Sequence, residues 1–120
     1  MKKLVIALGG NALQEAGKPA TAQAQLEVVE KTSEYIADIV ERGYEVIVAH
    51  GNGPQVGRIV IQNEIASAST PAMPFDVCGA MSQGMIGYHI QQGLWTQTKS
   101  SKPFQSTRLR RHRATHTTLA

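Results

Sequence analysis

The 120-residue chain has little cysteine, few aromatic side chains and no long apolar run. Its single cysteine, Cys78, excludes an internal disulfide and any zinc site built from several thiolates. No apolar stretch approaches the roughly 20 residues that a membrane helix needs. Met1-Lys2-Lys3 followed by Leu4 to Leu8 imitates a signal peptide, but five apolar residues fall short of the roughly 7–15 required. These absences point to a cytoplasmic location without a membrane partner. Two nucleotide signatures are also missing. There is no Gly-Lys-Ser/Thr, and Gly51, Gly53 and Gly57 are spaced one residue too widely for the dinucleotide fingerprint. A P-loop enzyme and a dehydrogenase are thereby disfavoured.

Acidic residues are absent from one whole segment. Residues 95–120 carry Lys99, Lys102, Arg108, Arg110, Arg111 and Arg113 and no acid, whereas residues 1–94 hold all nine acids against six bases. The isoelectric point near 9.2 therefore describes the tail and not the body. The cluster from Arg108 to Arg113 has no interleaved aromatic residues, so it reads as a solvated tail and makes a nucleic-acid partner unlikely.

What is present has the size of one domain with an alternating pattern of elements. Lys3 to Leu8 is an apolar run ending at Gly9-Gly10, which predicts a strand buried on both faces of a parallel sheet. Residues 21–42 turn helical, with Leu26, Val29, Ile36 and Val40 on one stripe and acids on the wet side. Gly43 occupies the position of a left-handed helix stop. Tyr44 to Ala49 predicts a second strand. Pro54 opens a second helix that runs to about Ala68, with Val56, Ile59, Val60 and Ile65 inward. A third helix is expected from Val77 to about Gln92, where Gly79, Ala80, Gly84 and Gly87 would let another helix approach. Strand, helix, strand and helix make a right-handed βαβ unit. From residue 96 no period persists, and the tail is expected to be disordered.

Two glycine turns, Gly9-Gly10-Asn11 and Gly51-Asn52-Gly53, follow the two strands. In a parallel sheet both strand ends point the same way, and ligands bind beyond them. Glycine admits an anion close to backbone N–H groups, and the helix start favours negative charge. Asn11 and Asn52 add side-chain amides able to donate to oxyanions. The alternative is that such glycines only make tight turns. His50 could bind a substrate or transfer a proton, or simply bond to a neighbour. His89 is expected on the helix surface or in an interface, and Cys78 is expected to be a small buried or helix-end residue. Met73, Met81 and Met85 suit packing or a subunit contact better than a cofactor.

Val5-Ile-Ala-Leu-Gly-Gly-Asn-Ala-Leu13, His50-Gly-Asn-Gly-Pro-Gln-Val-Gly57, Cys78-Gly-Ala-Met-Ser-Gln-Gly84, and Ile86-Gly-Tyr88 with Gln91-Gln92 resemble the carbamate kinases, within the amino acid kinase family. The resemblance covers residues 3–94. It implies a truncated αβα three-layer sandwich with a mostly parallel sheet, forming a homodimer. It divides the chain into a carbamate-binding lobe, residues 1–94, and a basic tail of foreign sequence, residues 95–120. It implies reversible phosphorylation of carbamate to carbamoyl phosphate with ATP/ADP and Mg²⁺, in arginine catabolism. Gly9, Gly10, Asn11, Gly51, Asn52 and Gly53 would hold carbamate and the migrating phosphoryl group. The family's nucleotide pocket and phosphoryl-neutralising lysines come from a second lobe that this sequence does not match, so the isolated chain is expected to be inactive. A non-catalytic remnant and a small-anion-binding or interaction module are the competing expectations.

Overall fold

The computed structural model describes residues 1–100, and the greater part of the basic tail lies outside the described residues. Strand β1 (Lys3–Leu8) is followed by a single 3₁₀ turn over Gly10–Ala12. Helix α1 (Ala22–Glu41) leads to strand β2 (Glu45–His50), and helices α2 (Gly53–Ala66) and α3 (Phe75–Ser100) follow. The two strands pair in parallel, with Lys3 opposite Glu45, Val5 opposite Ile47 and Leu8 opposite His50. The chain is therefore an α/β unit in which α1 is the crossover.

Helix α1 begins where Thr21, in extended backbone, accepts a hydrogen bond from the Ala24 N–H at 3.2 Å. That bond satisfies one of the donors a helix start leaves over. It stops at Gly43, whose φ of 88° lies in the left-handed region that side chains resist.

Side chains alternate across a strand, so each face of the sheet takes every second residue. Ile6, Leu8, Val46 and Val48 form one face and pack with Leu13, Val29, Ile36, Ile86 and Ile90 into the main core. That core lies between the sheet and the α1–α3 pair. A second, smaller cluster joins Val56 and Ile59 of α2 to Cys78 of α3, where the cysteine is fully buried as expected.

Several expectations change. The strands are covered on one face only: Val5 is 64% and Ile47 54% exposed, because no described helix packs over that side. Ile65, expected inward on α2, is 79% exposed, since α2 turns only its Val56–Ile59 side to α3. Helix α3 continues through Ser100, so residues 96–100, expected to be disordered, are helical. The expectation of disorder for residues 101–120 falls outside the described residues. His89, expected on the surface or in an interface, is buried at 8% exposure.

The close helix contact is also elsewhere. A Cβ at Gly79, Gly84 or Gly87 would meet nothing within 4 Å. One at Gly93 would sit 2.5 Å from Ser33 Oγ and 3.3 Å from Val29 Cγ1. Gly93, therefore, is the residue that admits α1 against α3.

Candidate functional site: two glycine turns beyond the strand ends

Parallel pairing places the carboxyl ends of β1 and β2 side by side, at Leu8 and His50. The Gly51 N–H donates to the Leu8 carbonyl at 3.1 Å, which ties the start of the second turn to the end of the first strand. Gly9, Gly10 and Asn11 are thus brought next to Gly51, Asn52 and Gly53 by the sheet itself.

The first turn folds on itself. The N–H groups of Leu13 and Gln14 both donate to the Gly10 carbonyl, at 3.1 and 2.9 Å, and that of Ala12 donates to Gly9 at 3.1 Å. These bonds use the carbonyls of the turn. The N–H groups of Gly10 and Asn11 have no protein acceptor among the described residues. Asn11 is exposed, with its side-chain amide open to solvent.

The second turn runs into α2. Asn52 is the N-cap residue, yet its side chain makes no capping bond. Pro54 in the first turn has no N–H to satisfy. The remaining first-turn donors of α2 are left without a side-chain cap. The Asn52 amide turns instead to α3, donating from Nδ2 to Ser82 Oγ at 2.8 Å. Ser82 is fully buried and its hydroxyl donates to the Gly79 carbonyl at 2.7 Å. One of the two side-chain N–H groups of Asn52 is thereby engaged by Ser82, and the other remains available to donate.

The four turn glycines adopt φ values outside the left-handed region, and a Cβ on any of them would meet nothing within 4 Å. Neither backbone conformation nor protein packing requires glycine there. His50 does bond to a neighbour: Nδ1 lies 3.0 Å from the Gly51 carbonyl. A carbonyl only accepts, so Nδ1 carries the proton and donates.

Sequence reasoning missed Ser82 and Gln55. Ser82 touches the site from 30 residues away, and only its helical spacing from Cys78 and Ile86 placed it on an inward face. Gln55, in the first turn of α2, is 1% exposed with neither side-chain amide atom hydrogen-bonded among the described residues. Charge near the turns is sparse. Lys3 pairs with Glu45 at the far end of the strands, and Lys18 bonds Glu15 at 2.7 Å. That contact lowers the Glu15 carboxyl below, and raises the Lys18 ammonium above, its ordinary value. Among the described residues no three His, Cys, Asp or Glu side chains are grouped to hold a metal ion. Neither turn carries a carboxylate, so the turn residues themselves offer Mg²⁺ no acidic ligand.

A family model for the amino acid kinase family matches residues 2–119. This chain belongs to the amino acid kinase family. Within the family it is 54% identical over 95 residues to a carbamate kinase of Pyrococcus horikoshii, covering 78% of this chain and 30% of that protein. It is 51% identical over 92 residues to a carbamate kinase of Clostridium perfringens, covering 74% and 29% respectively. Among solved structures, carbamate kinase from Giardia lamblia bound to AMP-PNP superposes with a TM-score of 0.80 at 44% identity, over 82% of this chain and 35% of that one. The chain thus spans about 30% of the length of the curated relatives it matches. The αβ layering described above is a part of the amino acid kinase fold.

Proposed function

We propose that this chain is the substrate-binding part of a carbamate kinase-like phosphotransferase, holding carbamate or carbamoyl phosphate over the two glycine turns. The observation that carries this reading is the juxtaposition of the two glycine turns at the adjoining carboxyl ends of two parallel strands. Backbone N–H groups of Gly10 and Asn11 and the uncapped start of α2 supply donors for the oxygens of the ligand. In the forward reaction a carbamate oxygen attacks the terminal phosphorus of ATP and ADP leaves; in reverse, ADP takes the phosphoryl group from carbamoyl phosphate. The role of residues 1–100 in either direction is to bind and orient the carbamoyl end. Nucleotide and Mg²⁺ would be held by parts of the fold that the second lobe supplies.

The same reading carries a cytoplasmic, arginine-catabolic setting and a homodimer. An exposed apolar stripe on α3, formed by Met81, Tyr88 and Trp95, favours pairing with a second copy. The test of the binding function is calorimetric titration of carbamoyl phosphate into the chain. Gly10→Val and Gly53→Val should each abolish binding, because a branched side chain would occupy the ligand's space. Undiminished binding in both variants would remove the turns from the site.

A further inference from the structure

We propose that Ser82 fixes which way the Asn52 amide faces, and thereby makes the second turn selective for a ligand bearing an N–H donor. This rests on the reading that the turns hold a carbamoyl group, and adds the residue that orients one of their side chains.

A serine hydroxyl has one proton to give. Ser82 Oγ lies 2.7 Å from the Gly79 carbonyl oxygen, which can only accept, so the proton goes there. Toward Asn52, at 2.8 Å, Oγ then has only a lone pair to offer. Asn52 must therefore present its NH₂ group to Ser82, since the reversed amide would set two acceptors against each other with no proton between them. The assignment of Nδ2 and Oδ1 follows from this proton count. Because Ser82 is fully buried, no water competes for the contact.

The planar amide then turns Oδ1 away from Ser82. Asn52 is only half-buried, it does not cap α2, and Oδ1 accepts no hydrogen bond among the described residues. The turns consequently offer two unlike functions: backbone N–H donors for oxygen, and one fixed acceptor. A carbamoyl group matches both, with oxygen for the donors and NH₂ for Oδ1. Acetyl phosphate has nearly the same shape and charge but carries a methyl group in place of the NH₂. Binding it would leave Oδ1 desolvated and unpaired, the situation in which hydrogen-bonding sites discriminate most strongly. Ser82 is thus a positioning residue that sets specificity through Asn52.

The experiment is parallel calorimetric titration of carbamoyl phosphate and acetyl phosphate into the 120-residue chain. The unaltered chain should prefer carbamoyl phosphate by about tenfold. In Ser82→Ala the amide is free to rotate, and the preference should collapse toward unity with little change in acetyl phosphate affinity. Ser82→Thr, which keeps the hydroxyl, should keep the preference. Mere loosening of the turn would weaken both ligands alike, and that result overturns the proposal, as does an undiminished preference in Ser82→Ala. If Asn52→Ala leaves carbamoyl phosphate binding intact, the functional reading of this turn fails as well. If Asn52→Ala is impaired and Ser82→Ala is not, only the role of Ser82 fails. No binding of either ligand by the unaltered chain overturns both. Nuclear magnetic resonance supplies a check that needs no variant: one proton of the Asn52 side-chain NH₂ should exchange slowly with solvent. Exchange of both protons at the rate of a free amide counts against the proposal.

Discussion

Gly93 decides how closely α1 and α3 approach. A methyl group there would press on Ser33 Oγ, which can rotate, but also on Ser33 Cβ at 3.2 Å and Val29 Cγ1 at 3.3 Å, which belong to the packed face of α1. Alanine gains about 1 kcal/mol in helix propensity over glycine, whereas overpacking a tight core contact costs about 1–3 kcal/mol. Overpacking should win, because two of the three contacts are with atoms that have nowhere to go. Gly93→Ala is expected to lower the melting temperature. Adding Ser33→Ala should recover part of the loss, since the buried Ser33 hydroxyl has no hydrogen-bond partner among the described residues. A Gly93→Ala chain more stable than the original would show that the helices can separate at little cost.

His89 makes a second prediction at this scale. Burial pushes its imidazole below the ordinary value of 6.5, because the charged form loses hydration in the α3 interior. The unfolded chain therefore binds a proton more readily than the folded one. The contribution of His89 to stability is complete above the unfolded pKa and declines as the pH falls through 6.5 toward the lower, folded value. Thermal melts between about pH 7 and pH 5 should show a falling midpoint, and His89→Gln should flatten that slope. An equal slope in the variant would assign the acid sensitivity to other groups.

At the scale of elements, local signals specified starts and stops well wherever one residue type performs a distinct task. The helical pattern opens at Thr21 and stops at Gly43, and in the structure Thr21 accepts the capping bond from Ala24 and Gly43 takes φ 88°. Thr21→Ala should destabilise the chain by about 1 kcal/mol through loss of that cap, and Thr21→Ser should restore it. Circular dichroism melts that do not distinguish Thr21→Ala from the original would mean that α1 is held by its core face alone. What sequence could not convey is pairing over long range. The unbroken apolar runs of β1 and β2 are those of strands covered on both faces, but a run does not say which part of the fold supplies the second cover, and no described helix does. Residues 96–100 are polar and lack an apolar period, so their helicity follows from continuation of α3 and not from a pattern of their own. The glycine turns were legible because glycine before a helix start is a local signal. The Asn52–Ser82 bond was not, because it joins residues 30 apart.

At the scale of the whole molecule, the bare sheet face and the sparse charge near the turns lead to one prediction. Val5 and Ile47 lie opposite each other and exposed, although parallel sheets are ordinarily covered on both faces. The chain therefore has the form of part of a layered fold, in keeping with its covering about 30% of its relatives' length. Phosphoryl transfer depends on positive charge preorganised around the migrating group. Lys2 and Lys3 stand at the opposite end of the sheet, and Lys18 is engaged by Glu15. Arg58 is six residues beyond Asn52, roughly 9 Å along the axis of α2, and one of its guanidinium nitrogens is buried without a partner among the described residues. Losing even one preorganised group of this kind commonly lowers a rate by about 10²–10³, and among the described residues no cation lies on the turns. The 120-residue chain on its own is thus expected to show no measurable ATP formation from carbamoyl phosphate and ADP with Mg²⁺, even where it binds carbamoyl phosphate. Sustained turnover by purified chain, lost in Asn11→Ala or Gly53→Val, would contradict this and would mean that the missing charges are assembled from a second copy.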